Sequence, residues 1–155
     1  MNTFLADFVK QKYPQPGKVL DLGAGDFTDV KALEKVGWLA EGVDKNLGVD
    51  LEQPFISVSR PFDLVYSNYL LHKLQNRDQL IKTACNNLKS GGWLFLHTFD
   101  AADTNSHSDI DADKLKLLLA QNGFINVTTE IIDFFDNDPG HQHWHKILQG
   151  VGQKV

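Results

Sequence analysis

The chain has almost no cysteine. Cys85 is the only one, so no internal disulfide can form. It sits in a helix-like stretch and reads as a small buried side chain rather than a nucleophile. A basic cluster is also missing. Lys and Arg number 15 against 20 Asp and Glu, a formal charge of −5 with no cationic run to offset it. Nucleic-acid binders need a basic stripe to displace counterions, so direct binding of DNA or RNA is not expected. No apolar run is long enough to span a bilayer, and Asp7, Lys10 and Lys12 interrupt the stretch where a signal peptide carries its apolar core. These absences fit a cytoplasmic protein with no membrane partner. Prolines are few, and no repeat, linker or low-complexity tract divides the chain, so one domain over residues 1–155 is expected.

What is present is an alternation of strand and helix signals. Residues 2–13 set Phe4, Leu5, Phe8 and Val9 at helical spacing, and Pro14 and Pro16 end that helix. Val19–Leu22 predicts the first strand, Thr28–Val36 a helix stopped by Gly37, and Trp38–Val43 a second strand. Leu47–Leu51 is read as a short third strand, and Phe62–Ser67 as a fourth. Asn76 with Gln79 resembles a capping box opening a helix on Leu80, Ile81, Ala84 and Leu88, closed by Ser90-Gly91-Gly92. Trp93–Phe99 is an almost wholly apolar fifth strand, and Asp111–Asn122 a helix ended by Gly123. The tail departs from this rhythm. Phe124–Phe135 and His143–Val151 are two long strands joined by Asp136-Asn137-Asp138-Pro139-Gly140, with no room for a helix between them, so they must pair antiparallel. The expected fold is α/β: three layers around a doubly wound, mostly parallel, seven-stranded Rossmann-like sheet with an antiparallel C-terminal hairpin.

In such sheets ligands bind at the carboxyl ends of the strands. Leu20-Asp21-Leu22-Gly23-Ala24-Gly25 runs from a buried strand into a two-glycine turn, where a backbone can approach a ligand closely. Thr28 is read as the cap of the following helix, so that the ligand meets free N–H groups. The second strand ends in Asp44, about 20 positions after Gly25, the spacing that sets a carboxylate on a ribose diol. Asp50-Leu51 could flank an adenine, and Ser67-Asn68-Tyr69 brings polar groups to the end of the fourth strand. Asp63, just before a buried strand, is read as structural. Two nucleotide-binding families share this layout. A dinucleotide fingerprint wants G-x-G-x-x-G, yet Thr28 stands at the third glycine. Asp21 at the strand end suits a cationic amine better than a pyrophosphate.

With these motifs the chain resembles the class I S-adenosylmethionine-dependent methyltransferases over essentially its whole length. Val19-Leu20-Asp21-Leu22-Gly23-Ala24-Gly25 resembles that family's first motif, and Gly42-Val43-Asp44 its ribose-binding acid. The fourth strand through His72 and the Leu88–Phe95 segment are similar to the family's later motifs, and the reversed last strand is its architectural mark. The resemblance implies S-adenosylmethionine as cofactor. Gly23, Ala24 and Gly25, with Asp21, would meet its methionine part. Asp44, with Lys45 beside it, would hold the ribose, Asp50 and Leu51 the adenine region, and Ser67 and Asn68 the methyl-transfer side. Phe27 departs from the pattern, standing where the family often has a further glycine and setting a bulky ring beside the pocket.

Methyl transfer from a sulfonium is an in-line displacement that needs alignment and exclusion of water, with no protein nucleophile. A general base is required only where the acceptor carries a proton to lose. Tyr69, His72 and His97 are the candidates, each set against a structural role that the sequence fits more readily: packing on the cofactor, facing solvent, or a hydrogen-bonded place in the core. His141, His143 and His145 alternate and would share one face of a strand, but no fourth ligand accompanies them and no metal is expected. Without an inserted cap domain the acceptor side falls to residues 1–13, the loop after Asn68 and residues 100–110. That open site suits a small-molecule acceptor first and a protein side chain second. Two other functions fit less well: a cofactor-binding scaffold or partner subunit without turnover, and an NAD-dependent oxidoreductase.

Overall fold

The computed structural model describes residues 1–155. Its elements run α1 (Thr3–Lys12), β1 (Lys18–Leu22), α2 (Thr28–Lys35), β2 (Leu39–Val43), β3 (Phe62–Asn68), α3 (Arg77–Asn87), β4 (Leu88–Phe99), α4 (Ala112–Gln121), β5 (Phe124–Asp136) and β6 (His143–Lys154). The sheet order is β2-β1-β3-β4-β6-β5. The first four strands are parallel neighbours, and β6 pairs antiparallel with both β4 and β5. Helices α1 and α2 cover one face over Leu5, Phe8, Leu33, Leu64 and Phe95. Helices α3 and α4 cover the other over Leu20, Leu22, Val65, Leu94 and Leu148. Side chains alternate across the strands, so neighbours in sequence serve opposite cores.

The sheet has six strands, not seven. The predicted strand at Leu47–Leu51 is instead a 3₁₀ turn over Lys45–Leu47, capped by Asp44 and stopped by Gly48 at φ 84°. Asn46 and Gly48 favour a turn over a pleat, and the apolar residues that suggested a strand reach the core without one. Leu51 is buried, and Val49 packs against the α3–α4 core. β2 is therefore the sheet edge.

Helices α3 and α4 carry side-chain caps, the first of them the expected one. Asn76 Oδ1 accepts the Gln79 amide at 3.3 Å, and Asp111 Oδ1 accepts the Lys114 amide at 2.8 Å. The Asn76 box is only half formed. Gln79 turns to Thr83 at 3.1 Å, and the Asn76 amide donates to Glu52 at 3.3 Å instead. α3 also stops early, at Asn87, whose buried amide donates to Thr83 O and Phe55 O and accepts from the Ser57 N–H. Asp63 is the structural acid expected. It accepts the Lys18 amide at 2.7 Å and pairs with Lys89, tying β1 and β4 to the start of β3. No helix is long and apolar enough to cross a membrane.

Candidate functional site

β1 enters the turn with Gly23 at φ 91° and Gly25 at φ 54°, followed by Phe27 at φ 65°. The first two positions suit glycine; Phe27 is a left-handed residue with a β-carbon and carries strain. Thr28 is not the helix cap. Phe27 occupies that position, and the Thr28 amide donates to Asp26 Oδ1 at 3.0 Å. The Phe27 ring turns onto β2, where Gly42 leaves it space: a β-carbon there would lie 2.7 Å from Phe27 Cε1, 2.8 Å from Ala24 Cβ and 2.9 Å from Val30 Cγ2.

The amides of the glycine turn itself are engaged. The Gly23 and Ala24 N–H groups donate to Val43 O at 2.9 and 3.0 Å, and the Gly25 N–H donates to Asp44 Oδ2 at 3.0 Å. Asp44 Oδ1 accepts the Asn46 amide at 2.9 Å. One carboxylate thus latches the glycine turn to the turn after β2. Ser67 is buried, and its hydroxyl donates to Leu22 O at 2.7 Å, fastening the ends of β1 and β3.

Beside this latch opens a crevice of about 230 Å³ lined by Gly23, Asp44, Lys45, Val49, Asp50, Leu51, Glu52, Leu70, Lys73 and Leu74. Five residues singled out from sequence meet here: Gly23, Asp44, Lys45, Asp50 and Leu51. Asp21, Ala24, Gly25, Ser67 and Asn68 do not line it. Glu52 closes one side, accepting the Gln75 and Asn76 amides at 3.1 and 3.3 Å. Leu70 closes another, its Cδ2 lying 2.7 Å from where a Gly23 β-carbon would sit. Glu52, Leu70, Lys73 and Leu74 carried no motif. They become neighbours of the glycine turn only when the segments after β2 and β3 fold over it.

Asp21 and Asn68 belong to a polar group on the α1–α2 face. The Asn68 amide donates to Asp29 Oδ2 at 2.9 Å, while its Oδ1 is buried without a partner. Asp21 is 4% exposed, and burial pushes its carboxyl up to about 7; the Tyr66 hydroxyl beside it favours the charged form, and Asp29 and Asp44 oppose it. A buried acceptor left without a partner, as Asn68 Oδ1 is, is a costly arrangement for a protein core to keep.

The three candidate bases part company. His97 is fully buried, with Nδ1 3.3 Å from Asn2 Nδ2 and Nε2 2.9 Å from Gln149 Oε1, and burial lowers its basicity. His72 Nδ1 lies 3.1 Å from Thr98 Oγ1; burial, then Lys73 and Arg77, push its pKa down to about 4. Tyr69 sits at φ 58° with its ring 5.3 Å from Phe99, and burial, then the charge of Asp136, raise its hydroxyl to about 12. Of the three tail histidines, His141 lies in the turn, outside β6. His143 and His145 meet edge to face with ring centroids 4.5 Å apart, and His145 Nδ1 is 3.0 Å from Asp103 Oδ2.

A profile of the methyltransferase domain matches residues 1–146. The chain belongs to the S-adenosylmethionine-dependent methyltransferase family. No curated protein sequence matches this methyltransferase domain. Solved structures share its fold at low identity. Phosphoethanolamine N-methyltransferase 2 of Haemonchus contortus, crystallised with phosphomonomethylethanolamine and S-adenosylhomocysteine, matches at 15% identity and a TM-score of 0.76, over 99% of this chain and 52% of its own. The domain therefore spans about half the length of that enzyme. Burkholderia thailandensis 1,6-didemethyltoxoflavin-N1-methyltransferase matches at 16% and 0.73, over 97% and 76%. A Mesorhizobium loti S-adenosylmethionine-dependent methyltransferase matches at 15% and 0.71, over 96% of both chains. The six-stranded sheet is thus the Rossmann-like methyltransferase fold.

Proposed function

We propose that residues 1–155 form one catalytic domain that moves a methyl group from S-adenosylmethionine to a small-molecule acceptor. The observation that carries this reading is the state of the glycine turn. Its three amides are already engaged by Val43 and Asp44. A dinucleotide pyrophosphate is an anion held by backbone N–H groups, whereas a methionine ammonium and a sulfonium need nearby negative charge. Three acids, Asp44, Asp50 and Glu52, outnumber the two lysines, Lys45 and Lys73, among the residues lining the crevice. The charge pattern favours the cationic cofactor over NAD.

In this reading Asp44 accepts from the ribose hydroxyls, Asp50 and Lys45 flank the nucleoside, and Val49, Leu51 and Leu74 supply its apolar walls. A crevice of about 230 Å³ is below the roughly 300–1,000 Å³ usual for whole ligands. It accommodates the nucleoside end, and the methionine end continues past Leu70 over the turn toward Asp21 and the unpartnered Asn68 Oδ1. When bound, S-adenosylmethionine supplies a methyl group activated by its sulfonium. The chain's own work is to hold that group in line with the acceptor and keep water out. With Tyr69 raised to about 12 and His72 lowered to about 4, neither exchanges a proton readily at neutral pH. Tyr69 is assigned to position the acceptor with its ring and hydroxyl, and His72 and His97 to hold the wall behind it. Two fold relatives are named for, or crystallised with, small molecules as methyl acceptors, which supports the same class here.

Calorimetry tests the cofactor: S-adenosylhomocysteine binds and NAD does not. Binding of NAD with no response to S-adenosylhomocysteine refutes the reading. A labelled methyl donor offered with a panel of small molecules tests turnover.

A further inference from the structure

A second cavity, of about 520 Å³, lies between the ends of β3 and β4 and the projecting tip of the β5–β6 hairpin. Its walls are aromatic: Tyr69, Phe99, Phe134 and His145, with Tyr69 5.3 Å and His145 4.7 Å from Phe99 by ring centroids. Asp136 and Asp138 stand at its rim, and no Lys or Arg lines it. Lys146, between the lining residues His145 and Ile147 on β6, pairs instead with Asp133 at 2.8 Å. The two acids are joined only by their own turn, where the Asp138 amide donates to Asp136 Oδ1 at 3.0 Å. Phe134 is 38% exposed, a large ring left open where a solvated hairpin tip has no need of one.

A cavity with π faces on its sides and uncompensated carboxylates at its mouth selects for organic cations. Ring faces attract ammonium groups, and the carboxylates reject phosphate and carboxylate ligands. Tyr69 lines this cavity and the next residue, Leu70, lines the crevice against Gly23, so the two sites adjoin. Building on the methyl-transfer reading, we propose that this cavity takes the methyl acceptor and that the acceptor is a small organic amine, bound as its ammonium. The amine nitrogen gives up one proton to water past the carboxylates at the rim. Its lone pair then forms the nitrogen–methyl bond as the methyl–sulfur bond breaks and that bond's electron pair goes to sulfur. The products are a methylated ammonium and a neutral thioether, with one proton released.

The test compares choline with 3,3-dimethylbutan-1-ol, which has the same shape without the charge, by calorimetry on the full chain saturated with S-adenosylhomocysteine. Choline should bind at least about tenfold more tightly, the preference expected of a desolvated cation–π site. Asp136→Asn and Phe134→Leu should each weaken choline by about three- to tenfold while S-adenosylhomocysteine binding changes by less than about twofold. Labelled methyl should reach primary amines in a panel that also holds phenols and carboxylates. Equal binding of the two isosteres, indifference of choline to both substitutions, or transfer confined to phenols or carboxylates overturns the proposal. If S-adenosylhomocysteine binds and choline does not, the cavity assignment fails alone. If S-adenosylhomocysteine itself does not bind, the underlying reading fails with it.

Discussion

Asp44→Ala separates two duties that one carboxylate performs. Its two oxygens accept the Gly25 and Asn46 amides at 3.0 and 2.9 Å, and the group also lines the crevice. Hydrogen bonds to a charged partner are worth roughly 1.5–3 kcal/mol each when buried. Both of these are solvent-accessible, so screening reduces the pair to roughly 1–2 kcal/mol in total. At about 2.1 cal/mol/K of unfolding entropy per residue, a chain of 155 residues loses about 3–6 °C of Tm for that change. The ribose contact adds a separate loss of about 1–3 kcal/mol in affinity for S-adenosylhomocysteine, roughly 5- to 150-fold. Thermal scanning of the free protein reads the first effect and calorimetry the second. Asp44→Asn keeps one acceptor oxygen, so its Tm should fall by about half as much while affinity falls nearly as far. A variant that melts earlier yet binds with an unchanged dissociation constant refutes the ribose assignment and leaves Asp44 as a latch alone.

Other substitutions test the turn and its surroundings. Because the Asp21 carboxyl is raised to about 7 from 3.8, the folded state holds its proton more tightly than the unfolded chain does, and stability falls as pH rises across that window. Asp21→Asn removes this slope. It should match wild type near about pH 4 and exceed it by roughly 2–4 kcal/mol near about pH 8 in urea titrations, whereas parallel curves contradict the assignment. Gly42→Ala forces a methyl group against Phe27, Ala24 and Val30 and should cost about 1–3 kcal/mol. Pairing it with Phe27→Ala should recover part of that loss, and strict additivity would place the ring elsewhere. Gly23→Ala meets both φ 91° and Leu70, so S-adenosylhomocysteine binding should drop by more than about tenfold; binding at wild-type strength would mean the ligand lies away from the turn.

Much of the architecture was legible because its signals are local. Pro14 and Pro16 mark the end of α1, the apolar run from Trp93 marks a strand covered on both faces, and the Asp136–Gly140 cluster marks the hairpin turn. Leu47–Leu51 misled because alternating apolar residues fit a strand equally well, while Asn46 and Gly48 decided for a turn. Thr28 has the chemistry of a cap, but the chain reverses one residue earlier, at Phe27.

The residues alone determined that strands and helices alternate, that a two-glycine turn follows the first strand, and that an acid stands at the end of the second. Those features depend on side chains a few positions apart, where propensity and spacing suffice. The tertiary structure decided what the turn offers. Its amides are engaged by Val43 and Asp44, its open side is closed by Leu70 and Glu52, and a second, aromatic cavity is assembled from β3, β4 and the hairpin tip. These are matters of which distant groups share a few ångströms, and only packing settles them.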